Sequence, residues 1–79
     1  MRSLDIARIL KNINPNVVLL EDLDEALIGY TNNIIPNIPV YDTERILCLL
    51  SKKGMKIDES ILYLEEVLMK KSNILFVSL

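Results

Sequence analysis

Residues that break helices and strands divide this chain into short segments, and that division limits what it can fold into. Residues 14–16 (Asn-Pro-Asn) close the first segment, two prolines lie within residues 32–39, and Gly54 and residues 71–73 interrupt the remainder. Proline cannot continue a helix or donate within a sheet, and glycine readily takes the conformation in which helices end. Every regular element is therefore predicted to be short.

The first two helices follow from apolar spacing and from their end signals. Residues 3–13 place apolar side chains at Ile6, Ile9, Leu10 and Ile13, with Ser3 as the N-cap. A second helix is predicted from the cap residue Asp42 to about residue 53, with a buried face of Ile46, Leu47, Leu49 and Leu50. Gly54 fits the left-handed position that follows a helix, and Met55 is expected to pack back on Leu50.

A third helix is predicted to begin at the cap residue Asp58 and to end near residue 71. Ile57 would pack against Leu62 across its first turn. The predicted buried stripe consists of Ile61, Leu64, Val67 and Leu68.

Strands are predicted where short apolar or β-branched runs lie between turn residues. These runs are 17–20, 26–31 with Gly29 at a bulge or close contact, 39–41, and 74–79. For 26–31 the alternative is a helix that begins at Asp22 or Asp24, which Gly29, Tyr30 and Thr31 disfavour. The last run is apolar on both faces, which indicates burial on both sides or pairing with another chain. The sequence thus predicts one α+β domain over residues 1–79, a small two-layer fold with a short sheet packed by about three helices.

Composition narrows the functional classes. The 79 residues are 51% hydrophobic with a net charge of −2, which argues against disorder and offers no basic face for nucleic acid. No apolar run reaches the length of a membrane span, and no signal peptide is expected. A single cysteine fits a reducing, cytoplasmic setting.

The residues that usually carry catalysis are scarce. Histidine is absent, and Cys48 lies within an apolar run where a buried or half-buried structural thiol is expected. Gly29 and Gly54 are the only glycines, so no glycine-rich nucleotide loop can be assembled. We therefore predict no catalytic residue, no metal, no cofactor and no enzymatic activity.

An acidic connection precedes the second predicted strand and comprises Glu21, Asp22, Asp24 and Glu25. Its carboxylates suit a divalent cation, although the pattern is not that of an EF-hand. It equally fits a solvated loop or helix start, or an acidic patch that meets a basic protein surface.

The aromatic residues have two interpretations. Tyrosine is favoured at interfaces, yet it is also a common half-buried core residue. The weak interface candidates are the acidic connection together with Tyr30, Tyr41 and the terminal strand with Phe76.

Five short stretches together resemble a group of small uncharacterised proteins common in bacteriophage and bacterial genomes. They are residues 24–30 (DEALIGY), 39–42 (PVYD), 46–50 (ILCLL), 54–55 (GM) and 59–65 (ESILYLE), and the match spans about half of the chain. Val67 stands where the group has asparagine, Ser60 where it has alanine, and residues 74–79 where it has a glycine-rich tail. The resemblance implies a phage or mobile-element origin and supports the fold, and it supplies no activity.

These observations favour a small protein-interaction module, with a phage-type inhibitor of a host defence or nucleic-acid protein as its specific form. The alternative is an oligomer that binds a small ligand such as a nucleotide signal, and an assembly protein is the less favoured third hypothesis. A protein partner is expected, with a homodimer through the C-terminal strand as a further hypothesis. Direct binding of nucleic acid or membrane is not expected.

Overall fold

The computed structural model describes residues 3–33 and 35–78. Within these ranges, helix α1 (Ser3–Ile13) is followed by a 3₁₀ turn (Asp24–Ala26), strands β1 (Leu27–Tyr30) and β2 (Pro39–Asp42), and helix α2 (Thr43–Lys52). Helix α3 (Ile57–Tyr63) continues into a π-helical turn (Leu64–Leu68), and β3 (Leu75–Val77) completes the described chain. This confirms the predicted small α+β fold with a short sheet and three helices.

The sheet has the order β1-β2-β3, so β2 is the central strand. β1 runs antiparallel to β2, and β3 runs parallel to it. The register shifts between Leu27 and Gly29, which confirms the predicted irregularity at Gly29. Strands β1 and β3 are therefore the two edges of the sheet.

The predicted strand at residues 17–20 is wrong. The segment is irregular, and two of its amides bond to groups outside any strand ladder. The Val17 amide donates to the Asn14 carbonyl at 3.0 Å, and the Leu20 amide donates to the Tyr41 hydroxyl at 2.9 Å. The side chains of Leu20 and Leu23 are nevertheless buried, so the segment contributes to the core as a loop.

One core unites the helices, this loop and the sheet. α1 packs on β1, α2 on β2 and on the 3₁₀ turn, and α3 on α2. The Ser3 hydroxyl, predicted to cap α1, instead donates to the Leu27 carbonyl at 3.0 Å and ties the helix to β1. The buried apolar side chains are Ile6, Ala7, Leu10, Leu20, Leu23, Ala26, Leu27, Tyr41, Ile46, Leu50, Leu64, Leu68 and Ile74.

Both predicted ends of α2 are confirmed. Asp42 accepts a hydrogen bond from the Glu44 amide at 3.1 Å, as an N-cap does. At the other end Gly54 has φ +97°. The Met55 amide donates to the Leu50 carbonyl at 3.2 Å, and the Gly54 amide donates to the Ser51 carbonyl at 3.0 Å. These are the two bonds of a Schellman ending, which reverses the chain toward α3.

The third helix differs from its prediction at its start. Lys56 is the N-cap, so Asp58 already lies in the first turn and its carboxylate accepts from the adjacent Glu59 amide. Ile57 and Leu62 are 63% and 60% exposed, and the predicted contact between them does not cover either side chain.

The buried stripe of the third helix also differs, because its second half is a π-helical turn. The Met69 amide donates to the Leu64 carbonyl, five residues back, at 2.8 Å. This wider turn keeps Ser60, Leu64 and Leu68, spaced by four residues, on the side that faces the core. Ile61 and Val67, which were predicted to be buried, are exposed instead.

The terminal strand is shorter than predicted. Ile74 is buried, but strand pairing begins at Leu75, and residue 79 lies outside the described residues. Leu75 is exposed, while Phe76 and Val77 are half-buried. The strand is therefore not buried on both faces within the chain.

Candidate functional site

An open, largely apolar groove follows the outer face of α3 and its π-helical turn. Met55, Leu62, Tyr63 and Val67 line it together with Glu59 and Glu66, and it has a volume of about 390 Å³. We call these six residues the α3 surface. Leu62, Val67 and Tyr63 are 60%, 44% and 38% exposed. Apolar side chains grouped in this way differ from the scattered exposed residues that any small protein has.

The α3 surface exists because the core is completed by the opposite face of the helix. Leu64 and Leu68 fill the interior and are buried. These two residues, four positions apart, complete the core across the π-helical turn. The other apolar residues of α3 and this turn therefore point outward. Ile57, Ile61 and Met69 add further exposed apolar area on the same segment. The helix therefore has more apolar residues than its own fold uses.

Carboxylates supply the charge at the α3 surface. Glu66 forms an ion pair with Lys70, with Nζ and Oε2 3.1 Å apart, and both side chains are exposed. Glu59 forms no ion pair within the described ranges. An exposed ion pair such as Glu66–Lys70 contributes little to stability. The groove thus combines apolar walls with an acidic character.

The sequence does not predict this surface. Its apolar spacing places Val67 in the buried stripe and Leu62 in a contact with Ile57. The signal was nonetheless present, since residues 61–64 are consecutively Ile, Leu, Tyr and Leu, which no single helical face can bury.

The acidic connection is a solvated turn. Glu21, Asp22, Asp24 and Glu25 are all exposed. Asp22 adopts φ +62°, and its carboxylate lies 3.6 Å from the Lys53 ammonium. Within the described residues, no group of His, Cys, Asp and Glu side chains is placed to hold a metal ion. Glu21 lines a cleft of about 280 Å³ together with Tyr63, whereas Asp22, Asp24 and Glu25 line neither this cleft nor the α3 surface.

The aromatic candidates lie mainly in the core. Tyr41 is 0% exposed and its hydroxyl is bonded to the Leu20 amide, so it is a core residue and not a surface contact. Burial raises the pKa of Tyr41 above its ordinary value of 10.0; the bond from Leu20 opposes this, and the nearby Asp24 carboxylate adds to it. Phe76 stacks on Tyr41 with ring centroids 6.4 Å apart. Tyr30 and Phe76 are half-buried against the same core.

Cys48 is exposed, so the prediction of a buried or half-buried thiol is wrong. The buried positions of α2 are Ile46 and Leu50, four residues apart, and Cys48 lies midway between them on the opposite side of the helix. It faces a cleft of about 200 Å³ with Glu25, Arg45, Leu49 and Lys52. The cleft has no imidazole to act as a base, because the sequence contains no histidine.

Comparison of the chain with protein-family models, with curated proteins and with solved structures finds no match. Separately, none of the helices in the described part of the chain has the length and apolar character needed to cross a membrane. The α3 surface and the other side chains just described are therefore the basis from which a function can be inferred.

Proposed function

We propose that this chain is a small protein-interaction module that binds a protein partner through the α3 surface. The observation that carries the proposal is the group of exposed apolar side chains at Leu62, Tyr63 and Val67, directly outside a core that Leu64 and Leu68 already complete. Burying apolar area releases about 25 cal/mol per Å². Aromatic and large aliphatic residues at the centre of such a patch are typical anchors of protein interfaces.

The lining of the groove favours a protein over a small molecule as its ligand. Small-ligand sites combine apolar walls with several convergent polar groups that fix the orientation of the ligand. Among the described residues, Glu59 and Glu66 are the charged side chains that line the groove, and the groove is open to solvent along the helix. A broad, complementary protein surface can cover more of such an open groove than a compact ligand can.

The resemblance to small bacteriophage proteins supports a more specific form of the proposal, an inhibitor of a host defence or nucleic-acid protein. The net charge of −2 and the carboxylates of the α3 surface favour a partner with a basic face. The cytoplasm is the proposed setting, because the single cysteine needs no oxidising compartment.

The test compares two charge substitutions at equally exposed leucines. Leu62→Glu places a charge in the α3 surface, and Leu4→Glu places one on α1, where Leu4 is 66% exposed. We expect affinity capture from bacterial lysate to recover a partner with the unmodified chain and with Leu4→Glu. With Leu62→Glu, recovery should fall at least about tenfold. Equal recovery with both variants would contradict the proposal, and thermal melting checks that both remain folded.

A second candidate is the ligand-binding oligomer, and the position of β3 favours it. β3 is a sheet edge, and its outer side has no partner strand within the described chain. An open edge of this kind can pair with a second copy, which would form the homodimer expected from the terminal strand. A nucleotide signal would then bind between two chains.

Two measurements separate this candidate from the first. Light scattering behind a sizing column gives the molar mass, and a thermal-shift screen with cyclic dinucleotides detects ligand stabilisation. A dimer whose melting temperature rises with ligand would support the oligomer. A monomer with no shift would exclude it.

A further inference from the structure

We infer that the partner presents to the α3 surface an amphipathic α-helix with two basic residues seven positions apart on one side of its apolar stripe. This inference rests on the proposed function and specifies the chemistry of the segment that binds. Three observations support it: the backbone groups at the groove are already hydrogen-bonded, its two carboxylates are seven residues apart, and two copies of this chain would oppose like charges there.

A helix is favoured over an extended segment because the groove offers no backbone partners. The α3 surface lies on a helix and its π-helical turn, whose amides and carbonyls bond within the segment itself. The residues of the sheet edges β1 and β3 do not line the groove. An extended peptide needs an open strand edge to satisfy its backbone, whereas a helix bonds internally and presents only side chains.

The basic residues follow from the positions of Glu59 and Glu66. They are seven residues apart on the wall of one groove, which corresponds to about 10 Å along a helix axis. Two cations seven positions apart on the partner helix match this spacing. Lys70 competes for Glu66, but that pair is exposed on both sides and is readily exchanged for another cation.

A second copy of this chain fits the groove poorly. If two α3 helices packed about a twofold axis through the middle of the groove, Glu59 of one copy would approach Glu66 of the other. Like charges opposed across an interface weaken association. The carboxylates that favour a basic helix therefore disfavour self-association at this surface, and they leave the β3 edge as the separate site where self-association is testable.

The experiment uses two synthetic helical peptides that share one leucine stripe. One carries lysine at two positions seven residues apart on the same side of the stripe, and the other carries glutamate there. Fluorescence anisotropy measures binding of each to the full chain at low salt. We expect the lysine peptide to bind at least about tenfold more tightly. The Glu59→Lys, Glu66→Lys double variant should reverse this order.

Equal affinities for the two peptides, no binding of either, or an order that the double variant leaves unchanged would overturn the inference. Binding of the lysine peptide that survives Leu62→Glu would also overturn it, since the contact would then lie elsewhere. If the peptides fail while Leu62→Glu still abolishes capture of a lysate protein, the proposed function stands and only the helical, basic partner is rejected.

Discussion

The Tyr41 hydroxyl accepts a hydrogen bond from the backbone amide of Leu20 at 2.9 Å, across a sequence separation of 21 residues. Both residues are buried, so water does not satisfy either group. The bond fixes the irregular segment between α1 and the 3₁₀ turn against the central strand. It also explains how a stretch of apolar, β-branched residues is held in the core without forming a strand.

Removing this hydroxyl is predicted to destabilise the fold. Tyr41→Phe leaves the Leu20 amide buried without a partner, and such a loss costs about 1–3 kcal/mol. The free energy of unfolding from urea titration measures the effect. Tyr63→Phe is the control, because Tyr63 is exposed and should change stability by less than about 0.5 kcal/mol. Equal effects of the two substitutions would contradict the role given to the bond.

Alkaline pH should weaken the fold through the same residue. Burial raises the pKa of Tyr41 above 10.0, so the unfolded chain loses this proton at a lower pH than the folded chain. The contribution of neutral Tyr41 is therefore complete below pH 10.0 and is lost as the pH rises through the raised pKa. Urea titrations below and above that pH should show a steeper decline for the unmodified chain than for Tyr41→Phe. Parallel declines would exclude Tyr41 as the cause.

Much of the fold follows from the sequence alone, because local rules decide it. The cap at Asp42, the positive φ of Gly54 and the return of Met55 to Leu50 depend on residues a few positions apart. Local rules could not exclude a strand at 17–20, because the acceptor of the Leu20 amide is the Tyr41 hydroxyl, which lies 21 residues away on β2. Apolar composition alone cannot distinguish a strand from a buried loop.

The candidate site was harder to predict for a related reason. An α-helical template places Val67 with the buried residues, and only the π-helical turn moves it outward. The helical template from which the buried stripe is predicted does not include such a turn. Tyr41 is the reverse case, because of the two interpretations open for the aromatic residues the structure supports the core.

Ser60 is predicted to be a site where stability can be gained. It is 0% exposed, and its hydroxyl has no hydrogen-bond partner among the described residues. Ser60→Ala removes an unsatisfied buried group and should stabilise the fold by about 1 kcal/mol. Ser51→Ala, at an exposed helical position, is the control for the better helix propensity of alanine. A loss of stability in Ser60→Ala, measured by urea titration, would show that the hydroxyl has a partner.

The two glycines should respond differently to alanine. Gly54 has φ +97°, which an L-residue rarely adopts, so Gly54→Ala should destabilise by about 1 kcal/mol. A methyl group at Gly29 would meet nothing within 4 Å, and Gly29→Ala should be neutral or stabilising by about 0.5 kcal/mol. Thermal melting of both variants tests this, and the opposite order would contradict the assigned backbone conformations.

The most direct test of the α3 surface is site-specific photo-crosslinking in bacterial cells. A photoreactive residue replaces Leu62 on the α3 surface, Leu4 on α1, or Leu75 at the β3 edge, all of which are exposed. We predict a crosslinked adduct with another protein from position 62 and none from position 4. Adducts from positions 62 and 4 in equal yield, or from position 75 alone with the mass of two copies of this chain, would contradict the assignment of the α3 surface as the binding site.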